Sequence, residues 1–394
     1  MSGPFYVVLL AMLSIASAGG IAYHVMAIAV IRRFARNHPS KAVVGSVPPF
    51  SLLKPISGAI PGLEKNLQSF FLQEYPEFEI LFAVRTEGDP AVAVIEQLMK
   101  QHPTIPCRLT VTGNPAYANA KVYSLEHLFQ LAIHELLVIT DDDVSVTPDY
   151  LKALAWEFES NHADAVTNLY RGVAVSDFWS KLEALGMSTE FMAGVVVAER
   201  LEGMRFALGP SMAIRAGCLQ NIGGFRALAD YLADDFVLGK KVFETGHRLV
   251  LSAQVINHNV HSAGFLNSFI HRLRWNRSSR FSRPMGYFGQ GFTHTLPWAV
   301  LLLLAAPSAW SFGALACSLA LRAWLACELG ARLLNDKAVL RSLWLIPLQD
   351  CLSFASWLGG FWGKEIVWRN ERYELFEDGR MAPVSPRTSG TARN

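Results

Sequence analysis

The stretch Leu136-Leu-Val-Ile-Thr-Asp-Asp-Asp-Val144 decides the fold, because an apolar run ends there in three adjacent carboxylates. Such a short run is typical of a strand buried on both faces. Adjacent anions repel one another unless a cation or hydrogen-bond donors compensate them. Asp141 and Asp143 would point the same way in an extended chain, so they could share a hard divalent ion. The alternative is that one or two carboxylates cap a helix beginning near Tyr150.

Short apolar runs alternate with helical patterns on both sides of this stretch, between residues 42 and 260. The apolar runs cover residues 50–53, 79–84, 109–112 and 136–140, and helical patterns cover residues 62–72 and 91–100. This alternation predicts an α/β domain with a Rossmann-like, mostly parallel sheet. Ligands of such sheets bind beyond the carboxyl ends of the strands, where the three carboxylates are expected.

The composition separates this chain from ordinary soluble enzymes. Hydrophobic residues make up 51% of its 394 residues and the mean hydropathy is +0.24, which indicates segments in a lipid bilayer. A net charge of +2 gives no reason to expect nucleic acid as a partner. The five cysteines are scattered without metal-ligand spacing, which fits a reducing cytosolic compartment.

The N-terminal segment is predicted to be a transmembrane anchor over residues 1–33. Residues 5–31 contain no Asp, Glu, Lys or Arg and, at about 1.5 Å per residue, exceed the ~30 Å hydrocarbon core. A cleavable signal peptide is the alternative, but its apolar run would be shorter and would follow its basic residues. Here the basic residues come after the run: Arg32, Arg33, Arg36 and Lys41. The positive-inside rule therefore places the following domain in the cytosol.

Apolar character returns over residues 291–365, in runs at 296–307, 311–327 and 343–362. These runs predict two or three further spans, giving a multi-pass protein. The last run carries Gln349 and Asp350 near its middle, so a re-entrant or protein-buried segment is the alternative. The number of crossings, and with it the side on which the chain ends, stays open.

The tail over residues 366–394 is expected to be cytosolic or disordered. An odd number of crossings would keep it in the cytosol, as the positive-inside rule favours, whereas an even number would place it outside. Its basic residues include Arg369, Arg372 and Arg380.

A second pair of carboxylates, Asp234 and Asp235, begins an amphipathic run. A helix N-terminus stabilises an ionised carboxylate, which suits a group that must take a proton from an alcohol. Capping of the helix is the alternative, and the sequence does not show which of the two side chains would face a cleft.

A basic and aromatic segment lies at residues 269–283, within a region at 261–290 that we expect to form an amphipathic interfacial helix. Its arginines are available for lipid or donor phosphates. Simple contact with anionic lipid is the alternative. The arginines are Arg272, Arg274, Arg277, Arg280 and Arg283.

Together these residues resemble the membrane-bound glycosyltransferases of GT-A fold, whose pattern is a first Asp, a D-x-D-like element, a later Asp and (Q/R)-x-x-R-W. Within that group they resemble ceramide glucosyltransferase and its bacterial relatives, which include the hopanoid-biosynthesis-associated glycosyltransferases. The likeness runs over residues 51–290 and recurs in the tail. Its matches are at residues 51–58, 88–90, 119–121, 141–143, 208–212, 233–236, 271–275 and 368–373.

The resemblance implies that Asp141 and Asp143 hold Mg²⁺ or Mn²⁺ on the donor diphosphate and that Asp235 is the general base. It also implies that Lys121 lies near the nucleotide. By the same resemblance, Gly209 and Ser211 would line the sugar pocket, and Arg274 and Trp275 would close the donor site.

The chain departs from the family pattern at two positions. Thr86 occupies the likely place of the first Asp, so the uridine contact could pass to Asp89. His271 stands where Gln or Arg is usual, and its charge would then depend on pH.

The resemblance implies an inverting transfer of a sugar, with glucose leading, from a UDP-sugar to the primary hydroxyl of a membrane lipid, with ceramide leading. The reaction would take place at the cytosolic face of a bilayer, which is the inner membrane if the source is bacterial. A hopanoid polyol receiving an N-acetylhexosamine is the first alternative. A processive polysaccharide synthase is the second, although it would need more spans, and a non-catalytic scaffold would leave the carboxylates without a role.

Overall fold

The computed structural model describes residues 3–37, 47–368 and 371–384. Several sequence predictions fall outside the described residues: those on Lys41, on residues 42–46 of the predicted catalytic domain, on Arg369 and on residues 385–394 of the tail.

One eight-stranded sheet forms the centre of the domain that the sequence predicts to be catalytic. Its strands are β1 (Phe50–Pro55), β2 (Phe78–Val84), β3 (Cys107–Val111), β4 (Leu136–Thr140), β5 (Val144–Ser145), β6 (Ala165–Ala174), β7 (Ser211–Arg215) and β8 (Leu249–Val260). They lie in the order β3-β2-β1-β4-β7-β6-β8-β5. Strands β3, β2, β1 and β4 are parallel, as are β6 and β8, while β7 and β5 run antiparallel to their neighbours. The predicted mostly parallel sheet is confirmed.

Mostly apolar sequence explains the centre of this sheet. Every residue of β1, β2 and β4 is buried, because helices cover both faces. The carboxyl ends of these parallel strands meet at one edge. Asp141 follows β4 directly and therefore lies at that edge.

The α-helices are α1 (Pro4–Asn37), α2 (Leu63–Phe71), α3 (Ala91–Gln101), α4 (Ala120–Leu131), α5 (Tyr150–Glu159), α6 (Phe178–Gly186), α7 (Met192–Glu202), α8 (Ala216–Asn221), α9 (Asp234–Glu244), α10 (Phe265–Ser282), α11 (Pro284–Gly289), α12 (Thr295–Ala305), α13 (Ala309–Ala326), α14 (Lys337–Ser342) and α15 (Ile346–Gly360). Two π-helical segments, Met187–Phe191 and Cys327–Leu333, continue α6 and α13. Short 3₁₀ turns lie at Phe225–Leu228, Gln290–Thr293 and Leu343–Leu345.

Within the described ranges, two helices are long and apolar enough to cross a membrane, Pro4–Asn37 and Ala309–Leu333, and Thr295–Ala305 is a shorter apolar helix. Helices α1 and α12 approach closely, since a Cβ on Gly20 would lie 3.0 Å from the Cα of Thr295. The side chains of His24 and Thr295 also hydrogen bond at 2.8 Å. These helices therefore form a packed bundle beside the catalytic domain.

The polar pair in the last apolar run is buried within protein. Gln349 is 1% exposed and Asp350 is 5% exposed. Gln349 accepts a hydrogen bond from Arg272 at 2.8 Å, and Asp350 pairs with Arg322 at 2.9 Å. The structure thus agrees with the protein-buried alternative for α15.

The tail forms a three-stranded antiparallel sheet of β9 (Glu365–Trp368), β10 (Glu371–Leu375) and β11 (Met381–Pro383). The disordered alternative therefore does not hold for the described tail residues up to Pro383, and the cytosolic alternative stays a prediction. The sheet has its own small core: Ile366, Tyr373, Leu375 and Met381. The charged, three- to five-residue strands gave no clear apolar run in the sequence.

Candidate active site

Lys121 joins the two carboxylate pairs at the binding edge of the sheet. Its ammonium lies 2.7 Å from Asp141 Oδ1 and 3.5 Å from Asp234 Oδ2. Asn119 fixes the start of α4, because its side chain accepts from Val122 N at 3.1 Å and donates to Tyr231 O at 2.8 Å. Burial alone would lower the pKa of Lys121, but the neighbouring carboxylates outweigh it and raise that pKa. Lys121 therefore stays charged.

Asp234 and Asp235 begin α9 but have different surroundings. Asp234 is 7% exposed and is held by Lys121 and, at 3.4 Å, by Asn119. Asp235 is half-buried and accepts from the backbone N–H groups of Gly209, at 2.6 Å, and Phe236, at 2.8 Å. Burial, with the Asp234 charge as the next cause, raises the pKa of Asp235 to about 6. Asp235 is thus the member of the pair suited to proton transfer near neutral pH.

Gly209 contacts Asp235 in the structure, while its predicted place in a sugar pocket stays a prediction. Its N–H donates to Asp235, and an added Cβ would lie 2.9 Å from Asp235 Oδ2. A larger residue would push against the carboxylate. Gly209 therefore sets the position of Asp235.

Only one of the two carboxylate oxygens of Asp143 has a hydrogen-bond partner among the described residues. Its Oδ2 lies 3.2 Å from His258 Nε2, while its Oδ1 is buried and accepts from no described residue. Burial would raise the pKa of Asp143, but the His258 imidazole outweighs it and lowers that pKa. Asp143 is therefore ionised and has a free coordination position.

This donor set fits a divalent cation. Besides Asp143 Oδ1, both ring nitrogens of His261 are buried without a hydrogen-bond partner among the described residues. No group of three or more His, Cys, Asp or Glu side chains in the described ranges could hold an ion by itself. A bound ion would therefore need further ligands, such as phosphate oxygens. The turn at residues 141–143 directs Asp141 to Lys121 and Asp143 to His258, and neither caps α5, which begins after Asp149.

The sequence analysis missed three residues of this region. Lys54 is fully buried and donates to Thr140 Oγ1 at 2.7 Å and to the Asp141 carbonyl at 2.8 Å, and burial lowers its pKa to about 7. A lysine inside an apolar strand was its available signal. His258 and His261 had no such signal, because they lie more than 100 residues after the carboxylates.

Helix α10 brings Trp275 close to His258, the partner of Asp143. Its ring centroid lies 6.3 Å from that of His258 and 6.0 Å from that of Phe191. Arg274 precedes it and is half-buried. His271 contacts Trp275, but its Nδ1 pairs with the buried Glu183 of α6. A phosphate contact of His271 stays a prediction, and it would have to use the other ring nitrogen.

Two predicted donor contacts lie away from the open cleft. Ser211 is fully buried and hydrogen bonds to Tyr150 at 2.7 Å and Asn168 at 2.8 Å, so it supports the site from below. Both oxygens of Asp89 accept from Gly58 N, and one also accepts from Ala91 N. Asp89 therefore ties two loops together. The hydroxyl of Ser211 and the carboxylate of Asp89 therefore already have hydrogen-bond partners within the protein. The spacing of residues in the sequence could not predict this, because it shows neither the burial of a side chain nor its hydrogen bonds.

A cleft of about 1200 Å³ opens beside Lys121. Pockets for small ligands typically measure about 300–1,000 Å³. The catalytic domain contributes Arg85, Thr112, Asn114, Tyr117 and Lys121, and the tail sheet contributes the opposite side. The cleft is large enough for a nucleotide-sized ligand with its charged end at Lys121.

Comparison with solved structures supports the fold. The mannosyltransferase from Pyrobaculum calidifontis in complex with GDP-Man and Mn²⁺ aligns with a TM-score of 0.55 at 19% identity, over 91% of this chain and 99% of that chain. At this identity the likeness concerns the fold alone, and it confirms the GT-A architecture.

Comparison of sequences adds relatives and a family. Ceramide glucosyltransferase 1 from Caenorhabditis elegans is 28% identical over 65% of this chain and 55% of its own length. Ceramide glucosyltransferase 3 from the same organism is 26% identical over 58% of this chain and 50% of its own length. The chain thus spans about half the length of these relatives. The model of glycosyl transferase family 21 matches residues 12–381, and the chain belongs to that family.

Proposed function

We propose that this protein transfers a sugar, glucose in the leading case, from UDP to the primary hydroxyl of a membrane lipid, ceramide in the leading case, with inversion. The observation that carries the proposal is the Lys121 ammonium between Asp141 and Asp234, beside Asp235. This arrangement supports a diphosphate at one carboxylate pair and a proton acceptor at the other. The two ceramide glucosyltransferases named above support the choice of sugar and lipid.

The proposed reaction requires one general base. The Asp235 carboxylate takes the proton of the lipid hydroxyl, and the oxygen forms a bond to the anomeric carbon of the sugar. The bond from that carbon to the diphosphate breaks, and UDP leaves with the electron pair. A divalent cation, when bound by Asp141 and Asp143, would supply positive charge to the diphosphate.

Side chains around the leaving group would do the remaining work. Lys121 would place a positive charge near the diphosphate, and because its side chain is only 10% exposed, its attraction to the phosphates would be stronger than in water. Arg274 and Trp275 on α10 would close the donor side and exclude water. Gly209 holds Asp235 in place.

The acceptor would enter from a lipid bilayer. Helices α10 and α11 expose five large apolar side chains: Phe265, Leu266, Ile270, Met285 and Phe288. Such a surface beside two apolar helices fits an interfacial position. Arg32, Arg33 and Arg36 at the end of α1 favour a cytosolic catalytic domain. The two long apolar helices would make the protein multi-pass.

Purified protein offered radiolabelled UDP-glucose or UDP-N-acetylglucosamine, with ceramide or a hopanoid polyol, tests the proposal. We expect UDP release and a labelled ceramide product that require Mg²⁺ or Mn²⁺. A labelled hopanoid product would replace the acceptor assignment, and a polymeric product would indicate a processive synthase. No transfer from any UDP-sugar to lipid would overturn the proposed function.

A further inference from the structure

The tail sheet is fastened to the element that carries Asp235. Met381 N donates to Asp230 O at 2.7 Å, and Arg380 forms a backbone bridge with Tyr231. The loop at residues 228–234 leads directly into α9. The small core of the sheet packs on Ala118 and Leu232. The tail is therefore anchored within a few residues of both Lys121 and the candidate base.

The tail sheet is also fastened to α10. Arg277 donates to Glu365 O at 2.7 Å and Trp362 O at 3.1 Å, and Arg280 donates to Gly363 O at 2.8 Å. Charged side chains that satisfy several backbone carbonyls fix the entry into β9. The tail sheet is therefore bonded both to the loop before Asp235 and to the helix that carries Trp275.

The sheet forms the second side of the cleft that Lys121 lines. Its contribution comes from Trp368 and from the hairpin at residues 371–383: Glu371, Tyr373, Phe376, Glu377, Asp378 and Arg380, with Met381, Ala382 and Pro383. Phe376 is 45% exposed although it is a large apolar residue. An aromatic face open to a polar cleft provides a stacking surface for a planar ring.

The position of the phosphate end decides what would lie against Phe376. In the proposed function the diphosphate lies near Lys121 and Asp141. The nucleoside then extends along the cleft between the catalytic domain and the hairpin. The usual first Asp is absent at Thr86, and Asp89 is already bonded to Gly58 and Ala91. Other residues that line the cleft, including those of the tail sheet, are therefore the candidates for contact with the nucleoside.

We propose that the hairpin at residues 371–383 forms half of the nucleoside pocket, with the Phe376 ring stacking on the pyrimidine base of the donor. This inference rests on the proposed function, because it assumes a nucleoside diphosphate sugar as donor. It adds a donor-binding element that lies after the membrane helices in the sequence. The tail would then contribute to the affinity for the nucleoside but not to the affinity for the diphosphate.

The test measures UDP binding to Phe376→Ala in full-length protein by titration calorimetry. Loss of one base–aromatic stack, about 1–3 kcal/mol, corresponds to about 5- to 150-fold weaker binding. Phe376→Tyr keeps the ring and should bind UDP like the wild type. Val367→Ala is the matched control, because Val367 is 50% exposed on β9 and does not line the cleft. Competition by inorganic pyrophosphate should be the same in all four proteins.

The outcomes separate the inference from the proposed function. If the wild type binds UDP and Phe376→Ala binds it equally well, the stacking assignment is wrong while the proposed function stands. If Val367→Ala weakens UDP binding as much as Phe376→Ala does, or if Phe376→Ala weakens pyrophosphate binding as much as UDP binding, the effect is structural and the stacking assignment is also wrong. If the wild type neither binds UDP nor transfers from it, the proposed function fails first.

Discussion

The candidate active site and the helix bundle both bury charged side chains, but the Arg322–Asp350 pair of the bundle leaves no buried side-chain atom without a partner among the described residues. Arg322, 2% exposed, donates to both oxygens of Asp350 at 2.9–3.2 Å and to two oxygens of Thr189 at 3.1 and 3.2 Å. In the candidate active site, Asp143 Oδ1 is buried without a described partner, and the Asp141 side chain is 30% exposed.

This difference separates a structural ion pair from a binding site. Burying a charge without partners is costly, so proteins rarely retain such a group unless something else contacts it. The bundle pair is closed and needs no ligand. The two carboxylate pairs of the candidate active site have oxygens that could still contact a cation or a hydroxyl.

The largest expected effect is the loss of transfer in Asp143→Ala. This change removes the oxygen that has no described partner, so metal-dependent donor binding and transfer should fall together to background. Donor binding titrated with Mn²⁺ measures this loss. Asp149→Ala is the control, because its carboxylate contacts Thr147 instead. Unchanged metal dependence in a folded Asp143→Ala protein would remove Asp143 from the proposed cation site.

The next effect is a decrease in transfer of about 10²–10⁴-fold in Asp235→Asn, the range typical of general-base assistance. The amide keeps the shape of the side chain but accepts no proton, so affinity for the UDP-sugar should change little. Single-turnover transfer and UDP-sugar binding are the two measurements. Asp234→Asn is the paired variant. Near-normal turnover in Asp235→Asn with loss of turnover in Asp234→Asn would move the base by one residue.

The pH profile should show a smaller effect of the same carboxylate. A base works only when ionised, and burial raises the pKa of Asp235 to about 6. Protonation therefore increases as pH falls through about 6, and kcat/KM should fall about tenfold per pH unit below it. Removing the Asp234 charge should move this acid limb to lower pH. An acid limb at the same pH in Asp234→Asn would contradict the assignment.

The sequence predicted the parts of this comparison that depend on local pattern. Strands β1, β2 and β4 contain the short apolar runs seen in the sequence, and α9 begins at Asp234 as its amphipathic pattern indicates. These features follow from nearest-neighbour chemistry. The resemblance added the family pattern of the site.

The sequence could not predict the partners of these groups. Lys121 reaches Asp234 across more than 100 residues, and His258 reaches Asp143 over a similar separation. Such contacts depend on the strand order, which is not a local property. The burial of Ser211 has the same cause, since β7 lies between β4 and β6. The tail sheet was missed because its short strands show no clear apolar run and its small core packs on the distant residues Ala118 and Leu232.

The smallest expected effect on transfer comes from the bundle, where Arg322→Leu should destabilise the fold without changing the chemistry. Removing one member of a buried ion pair leaves the other unpaired and costs about 3–5 kcal/mol. Replacing both by leucine leaves no buried charge, so Arg322→Leu/Asp350→Leu should recover most of that loss. Thermal unfolding in detergent and transfer per folded molecule are measured for all three proteins. A decrease in transfer of the double variant comparable to that of Asp235→Asn would show that the bundle pair takes part in the reaction, and the distinction between satisfied and unsatisfied charges would then fail.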